Sequence, residues 1–344
     1  MNRSLVLIAL LSFAACGDGP TEPELAPREI GVVLNSTDVS VTLFEVADPA
    51  STRTVGLGPD GSPVSLAVRG YLAAVPLGIV PAVAVVDVAS GRLIHTVALP
   101  AGSGATGVAF LNDSIALVAN PGLGSVSPVN VMRGTAGDEI PVGLYPHSIV
   151  VEGGKAYVMD ARLENWAPAG PSLIAVIDGA TLAVVDEIPL TGENAGAAAV
   201  GPDGMIYVVN SGSWGMGNGG LSVVNPASGV ESGYFTGFGD FPGSVAVAPD
   251  GRVLVGAWGV GIMVWDPATT SFQNGPDNAL APLGVASTSG LGFDGSGRGY
   301  ALVPDCVEPS VVARLNDSFS AADTVSVGIC PVAIAFTDVL DVIQ

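Results

Sequence analysis

Charge is scarce in this sequence, and positive charge scarcest of all. Only 12% of its 344 residues are charged, and 11 Lys and Arg stand against 32 Asp and Glu, for a net charge of −21. So acidic a surface repels phosphate backbones, and no basic patch with interleaved aromatics offsets it. No nucleic-acid partner is therefore expected. Histidine occurs twice and cysteine three times, with no set of ligands at metal-site spacing, which argues against zinc. No stretch approaches the roughly 18 apolar residues that span a bilayer. Nor is the chain poor in hydrophobic residues, as a disordered one would be. No apolar stripe of 3.6-residue period stands out, so helix should be scarce.

What is present is Val, Ile, Ala and 47 Gly in short runs broken by PDG, ASG and similar turns. That pattern predicts many short strands. The N-terminus reads differently. Arg3, the apolar run from Leu5 to Leu11 and the small residues before Cys16 form an export signal over residues 1–15. The end of this segment resembles a bacterial lipobox, which would make Cys16 the lipidated first residue. Phe13 departs from the usual Leu, so plain secretory cleavage is the alternative. Gly17 in place of Asp favours, by the same resemblance, the outer membrane, facing the periplasm or the surface. Membrane contact would then be made through the lipid alone. Residues 16–29 are Pro-rich and acidic and read as a tether. Cys306 and Cys330 are left as a pair and, in an oxidising compartment, are expected to form a disulfide.

A short string recurs: SLAV (65–68), GVAF (107–110), SIVV (148–151), AAAV (197–200), SVAV (244–247), GLGF (290–293) and AIAF (333–336). Its second residues fall at 66, 108, 149, 198, 245, 291 and 334, a spacing in the forties. With this strand content the period predicts an all-β, seven-bladed β-propeller of four-stranded blades over residues 30–344. The string is strand A, lining the channel. Tight turns, strand B, a variable loop, strand C, an Asp- or Asn-led turn and strand D follow. Only eight residues follow AIAF, while residues 31–57 hold strands with no strand A before them. The C-terminal strand A should therefore complete the N-terminal blade and close the ring.

These units resemble the YVTN-repeat, YncE-like propellers of bacterial envelopes. The resemblance rests on GPDGMIYVVNSG (201–212), LSVVNPASG (221–229), SLIAVIDGATLAVVDEIPLTG (172–192) and IPVGLYPHSIVVEGGKAYVMD (140–160). Two units depart from the Asp after strand C, at 107–147 and at 288–331. The Trp265-Asp266 pair reads as strand plus turn rather than as a WD40 signature.

Alternating strand direction puts the B–C loops and D–A connections on one face. Two B–C loops are long, 160–172 and 210–221, and long loops on a rigid scaffold carry function. They offer Asp160, Arg162, Glu164, Asn165, Trp166, Trp214 and Asn218, with Trp258 at the matching place in the next unit. The three Trp either form a binding patch or pack the loops onto the rim. His147, just before a strand A, should sit near the channel mouth, as a hydrogen-bonding residue or as a base. The expected function is non-enzymatic: a monomeric, envelope-anchored propeller that binds an unidentified protein, peptide or envelope polymer by this face. The alternative is a lactonase- or lyase-like enzyme in which His147 meets Asp160, Glu164 or Asp305 at the mouth. No cofactor is expected. A Ca²⁺ in an acidic channel would need clustered oxygen ligands, and no loop has EF-hand-like spacing.

Overall fold

The structure is a computed structural model that describes residues 25–342. The export signal, Cys16 and the first part of the tether lie outside the described residues. The architecture is all-β, with seven antiparallel sheets set around an axis as blades. Blade 4 shows the pattern: Ala195–Val200, Ile206–Asn210, Gly220–Asn225 and Val230–Thr236 pair in that order from the axis outward. In blade 2 the outermost strand is split into Thr135–Ala136 and Ile140–Pro141. Among the described residues, helix is limited to three 3₁₀ turns.

The middle strands are buried along their length. Every residue of Leu72–Pro76 and of Val253–Ala257 is inaccessible. Each blade presses a neighbour on both faces, so these strands read as continuous apolar runs rather than as alternation. The outer strands face water, and in Val184–Pro189 only Ile188 is buried. The core is accordingly not one mass. It is seven apolar clusters, each shared by two consecutive blades. Two of them close the ring. One packs Val32 and Val41 against Ala73 and Val86, and the other packs Val33 and Phe44 against Tyr300 and Val312.

Turn chemistry repeats with the blades. At the end of strand C, Asp178, Asn225 and Asp266 each accept a hydrogen bond from the backbone N–H two residues on. In the two departing units Asn130 accepts from Arg133 N, three residues on, and Asn316 from Ser318 N, so a side chain leads the turn there too.

Pro331–Val342 pairs with Leu25–Asn35 over eleven register positions, which completes blade 7 from the two chain ends as expected. Strand B of this blade begins at Leu25, inside the stretch read as tether. Only Ile30–Asn35 also pairs with the next strand, Ser40–Glu45. Residues 25–29 and 338–342 therefore run past the blade as a two-stranded ribbon. This ribbon lies on the A–B turn face. Thr337 Oγ1 donates to Gly70 O in the A–B turn of blade 1 at 2.7 Å. Glu29 accepts from Gly295 N in the A–B turn of blade 6 at 2.6 Å.

Candidate functional site

The A strands converge around the axis, and on the face of the B–C loops they leave a cavity of about 880 Å³. Every blade contributes the start of its strand A, through Ser65, Thr106, His147, Gly196, Gly243, Ser289 and Val332 and the residues that follow each. Ile79, Pro121, Tyr145, Trp166 and Trp258 form the rim. No Asp, Glu, Lys or Arg lines this cavity. The acids that give the chain its charge lie outside its lining.

A chain of hydrogen bonds links blades around the mouth. Ser65 Oγ donates to Thr106 O, and Thr106 Oγ1 to His147 O at 2.9 Å. His147 Nδ1 donates to Gly196 O at 2.7 Å, and Ser289 Oγ to Pro331 O at 2.6 Å. Residues 106, 147, 196, 243 and 289 are equivalent, each one place before the repeated string. In blades 3, 4 and 5 strand A bulges there, so His147, Gly196 and Gly243 face no residue on strand B. A bulge turns its residue out of the ladder, here towards the axis. In blades 4 and 5 that residue is glycine: a Cβ on Gly196 would crowd Ser211 Oγ at 3.2 Å, so the open notch in the wall is at Gly243. A Cβ placed on Gly243 would meet nothing within 4 Å.

His147 is thus first a blade-to-blade tie. A carbonyl cannot donate, so Nδ1 carries the hydrogen and Nε2 keeps its lone pair. Burial holds the imidazole below its usual pKa, with the Gly196 hydrogen bond opposing. The ring is neutral at pH 7. Tyr145 stacks on it with centroids 6.4 Å apart, and Trp166 stands edge-on to Tyr145 at 6.2 Å.

Trp166 reaches that position through a small hairpin within the 160–172 loop, Leu163–Glu164 paired with Ala167–Pro168. Asn165 and Trp166 occupy its turn with φ of 50° and 68°. Such turns favour Asn-Gly, and an aromatic residue at positive φ is uncommon. The backbone is strained where the ring is displayed, by on the order of 1 kcal/mol. Trp166 is 83% exposed. Arg162, also at positive φ, donates to Pro171 O and closes the loop, while Glu164 points to solvent on the hairpin outside the cavity wall.

The three Trp do not form one patch. Trp166 and Trp258 line the cavity, whereas Trp214 lies against Phe241 with centroids 5.4 Å apart, outside it. Asn218 accepts from Ser213 N and closes the 210–221 loop on itself.

None of the carboxylates named with His147 lines the cavity, and two of them are engaged by backbone N–H groups. Asp160 is buried and accepts from the N–H groups of Leu144, Tyr145 and Arg162 at 2.8–3.0 Å. It occupies the end of strand B, where blades 7, 2 and 4 place Asn35, Asn120 and Asn210, and these reach Ser or Thr hydroxyls on strand C. Gly143 lies so close to the Asp160 carboxylate that a side chain there would collide with it. Asp160 therefore shapes the connection that presents Tyr145. Asp305 accepts from Val307 N and Glu308 N, and these two bonds hold its pKa below the usual carboxylate range. The expected Cys306–Cys330 disulfide forms beside it, and Cys330 N donates to Asp305 O. Among the described residues no three His, Cys, Asp or Glu side chains come together as a metal site.

Sequence reasoning missed Tyr145, the glycine notch and the buried Asn or Asp at the end of strand B. The last had a signal in the endings VLN, VAN, VMD and VVN at 35, 120, 160 and 210.

No family model and no curated protein matches the chain. Solved structures do match. Hydrazine synthase of Kuenenia stuttgartiensis superposes with a TM-score of 0.65 at 17% identity, over 80% of this chain and 90% of that one. A functionally unknown protein from Desulfotomaculum acetoxidans DSM 771 gives 0.64 at 14% identity, over 90% and 98%. A streptogramin B lyase gives 0.59 at 10% identity, over 88% of each chain. These likenesses support the propeller fold and no particular chemistry.

Proposed function

We propose that this chain is an exported, envelope-anchored propeller of the YVTN-repeat kind, and that it binds an uncharged ligand or partner at the axial mouth on its B–C loop face. The observation that carries this reading is the cavity itself. In a chain of net charge −21 its wall holds no charged side chain, and two exposed Trp with the half-buried Tyr145 crown it. Large neutral concavities with aromatic rims are the usual form of binding sites. An enzyme of the lyase or lactonase type would need an acid or base partner for His147, whereas its ring bonds Gly196 O and none of Asp160, Glu164 and Asp305 lines the cavity. The export signal, Cys16 and the tether support the envelope location.

The test replaces residues 163–170 by a short turn and compares capture from envelope extracts by the full chain and by this variant. Loss of the wild-type partner or ligand supports the site, and unchanged recovery removes it. A lactone-turnover assay on wild type and His147→Ala separates the enzymatic reading, since turnover that depends on His147 would restore it.

A further inference from the structure

The mouth has donors and acceptors in unequal supply. The hydroxyls of Ser65, Thr106 and Ser289 and the Nδ1–H of His147 all donate to carbonyls of the next blade. What these groups have left is lone pairs, on the three hydroxyl oxygens and on His147 Nε2. A ligand rich in carbonyls, such as a peptide or an ester, would find few reachable donors: Ser62 Oγ accepts from Ile79 N and keeps its hydrogen, while the hydroxyls of Ser148 and Ser244 are buried in the wall. A purely apolar ligand would strip water from Nε2 and return nothing, which is costly. A charged ligand finds no counter-charge in the cavity. The wall instead suits a neutral molecule rich in O–H donors. Above it, Trp166 and Trp258 are 83% and 52% exposed and offer indole faces to a flat C–H surface. The notch at Gly243 of blade 5 widens the wall, and Gly196 between it and His147 adds no side chain.

We infer that the axial mouth is a carbohydrate site that takes uncharged sugar rings, stacked on Trp166 and Trp258, with a hydroxyl donated to His147 Nε2 and the ring edge seated over Gly196 and Gly243. This rests on the reading of the mouth as the binding site and adds the ligand class.

The test titrates the full chain with a panel of neutral oligosaccharides: maltotriose, cellotriose, mannotriose and N-acetylated chitotriose. Binding is read by calorimetry and by Trp fluorescence. Three variants accompany it. Trp166→Ala removes a stacking face. Gly243→Phe fills the notch, at a position with ordinary φ and open space, so the fold is retained. Trp214→Ala alters an exposed Trp outside the cavity. The expected result is saturable binding of at least one sugar, weakened tenfold or more by Trp166→Ala and by Gly243→Phe, and less than twofold by Trp214→Ala. Absence of binding across the panel overturns the sugar assignment. If loss of the loop at 163–170 still abolishes capture of an envelope partner, the site reading survives that failure. Sugar binding indifferent to both cavity variants overturns the placement at the mouth.

Discussion

Blades 3 and 4 each carry a long B–C loop with an exposed tryptophan, yet only the loop of blade 3 reaches the axis. In blade 3 the loop folds as a hairpin over its own D–A connection, and Trp166 meets Tyr145. In blade 4 the loop leans towards the seam with blade 5, where Trp214 meets Phe241 and Gly215 N donates to Asp240. The difference begins one layer down. Blade 3 ends strand B in Asp160, which gathers three backbone N–H groups from both connections. Blade 4 has Asn210 there, bonded through Nδ2 to Val208 O and Ser222 Oγ. A carboxylate at that corner organises the surface above it, while the amide mostly satisfies its own blade.

The largest effect should come from breaking that corner. Asp160→Ala leaves three inward-facing donors without an acceptor and should cost about 3 kcal/mol or more, while Asn210→Ala should cost nearer to 1 kcal/mol. Asp160→Asn should fall between them. Denaturant unfolding of the three variants measures this, and equal losses for Asp160→Ala and Asn210→Ala would erase the contrast. Blade 6 offers a covalent version of the same tie, since its disulfide joins the B–C loop to the D–A connection. Replacing Cys306 and Cys330 by Ser should cost roughly 3 kcal/mol, as expected for a loop of this length. A thermal melt reads it.

A smaller effect concerns His147. Its folded pKa lies below the unfolded value near 6.5, so above that pH neither state is charged and nothing is lost. As pH falls through about 6.5 the unfolded chain takes up the proton first, and stability drops by at most about 1.4 kcal/mol per pH unit. His147→Gln should remove this component. The difference between the two melting curves from pH 7.5 to 5 tests it, and parallel curves would refute it. Smallest of all, Trp214→Ala should change stability by about 1 kcal/mol or less, the worth of its contact with Phe241. A greater loss would mean that the blade 4 loop is more than a surface feature.

The blades were legible because their signals repeat. The small-residue string, the Asx-led turns and the strand A missing from residues 31–57 together implied seven blades and a shared seventh. The site was legible only as an address. Loop length marked Trp166 and Trp214 equally, and what separates them is the partner each finds, Tyr145 or Phe241, across the fold. Asp160 read as a catalytic candidate because an acid opening a long loop resembles one. Its kinship with Asn35, Asn120 and Asn210 shows only once strand B is aligned. The bulges at His147, Gly196 and Gly243 lie one residue before the repeated string and leave it unchanged, so periodicity could not reveal them.

The ribbon made by residues 25–29 and 338–342 has a mechanical consequence. It leaves by the face opposite the mouth. Any attachment made through the segment before Leu25 and any load held at the mouth would pull from opposite ends of blade 7. That tension runs along Leu25–Asn35 and Pro331–Val342 rather than across them. Eleven register pairs would then resist together in shear, where a peeling force would open them one at a time. The seam that closes the ring is also the one a tug would test, and it is oriented to hold.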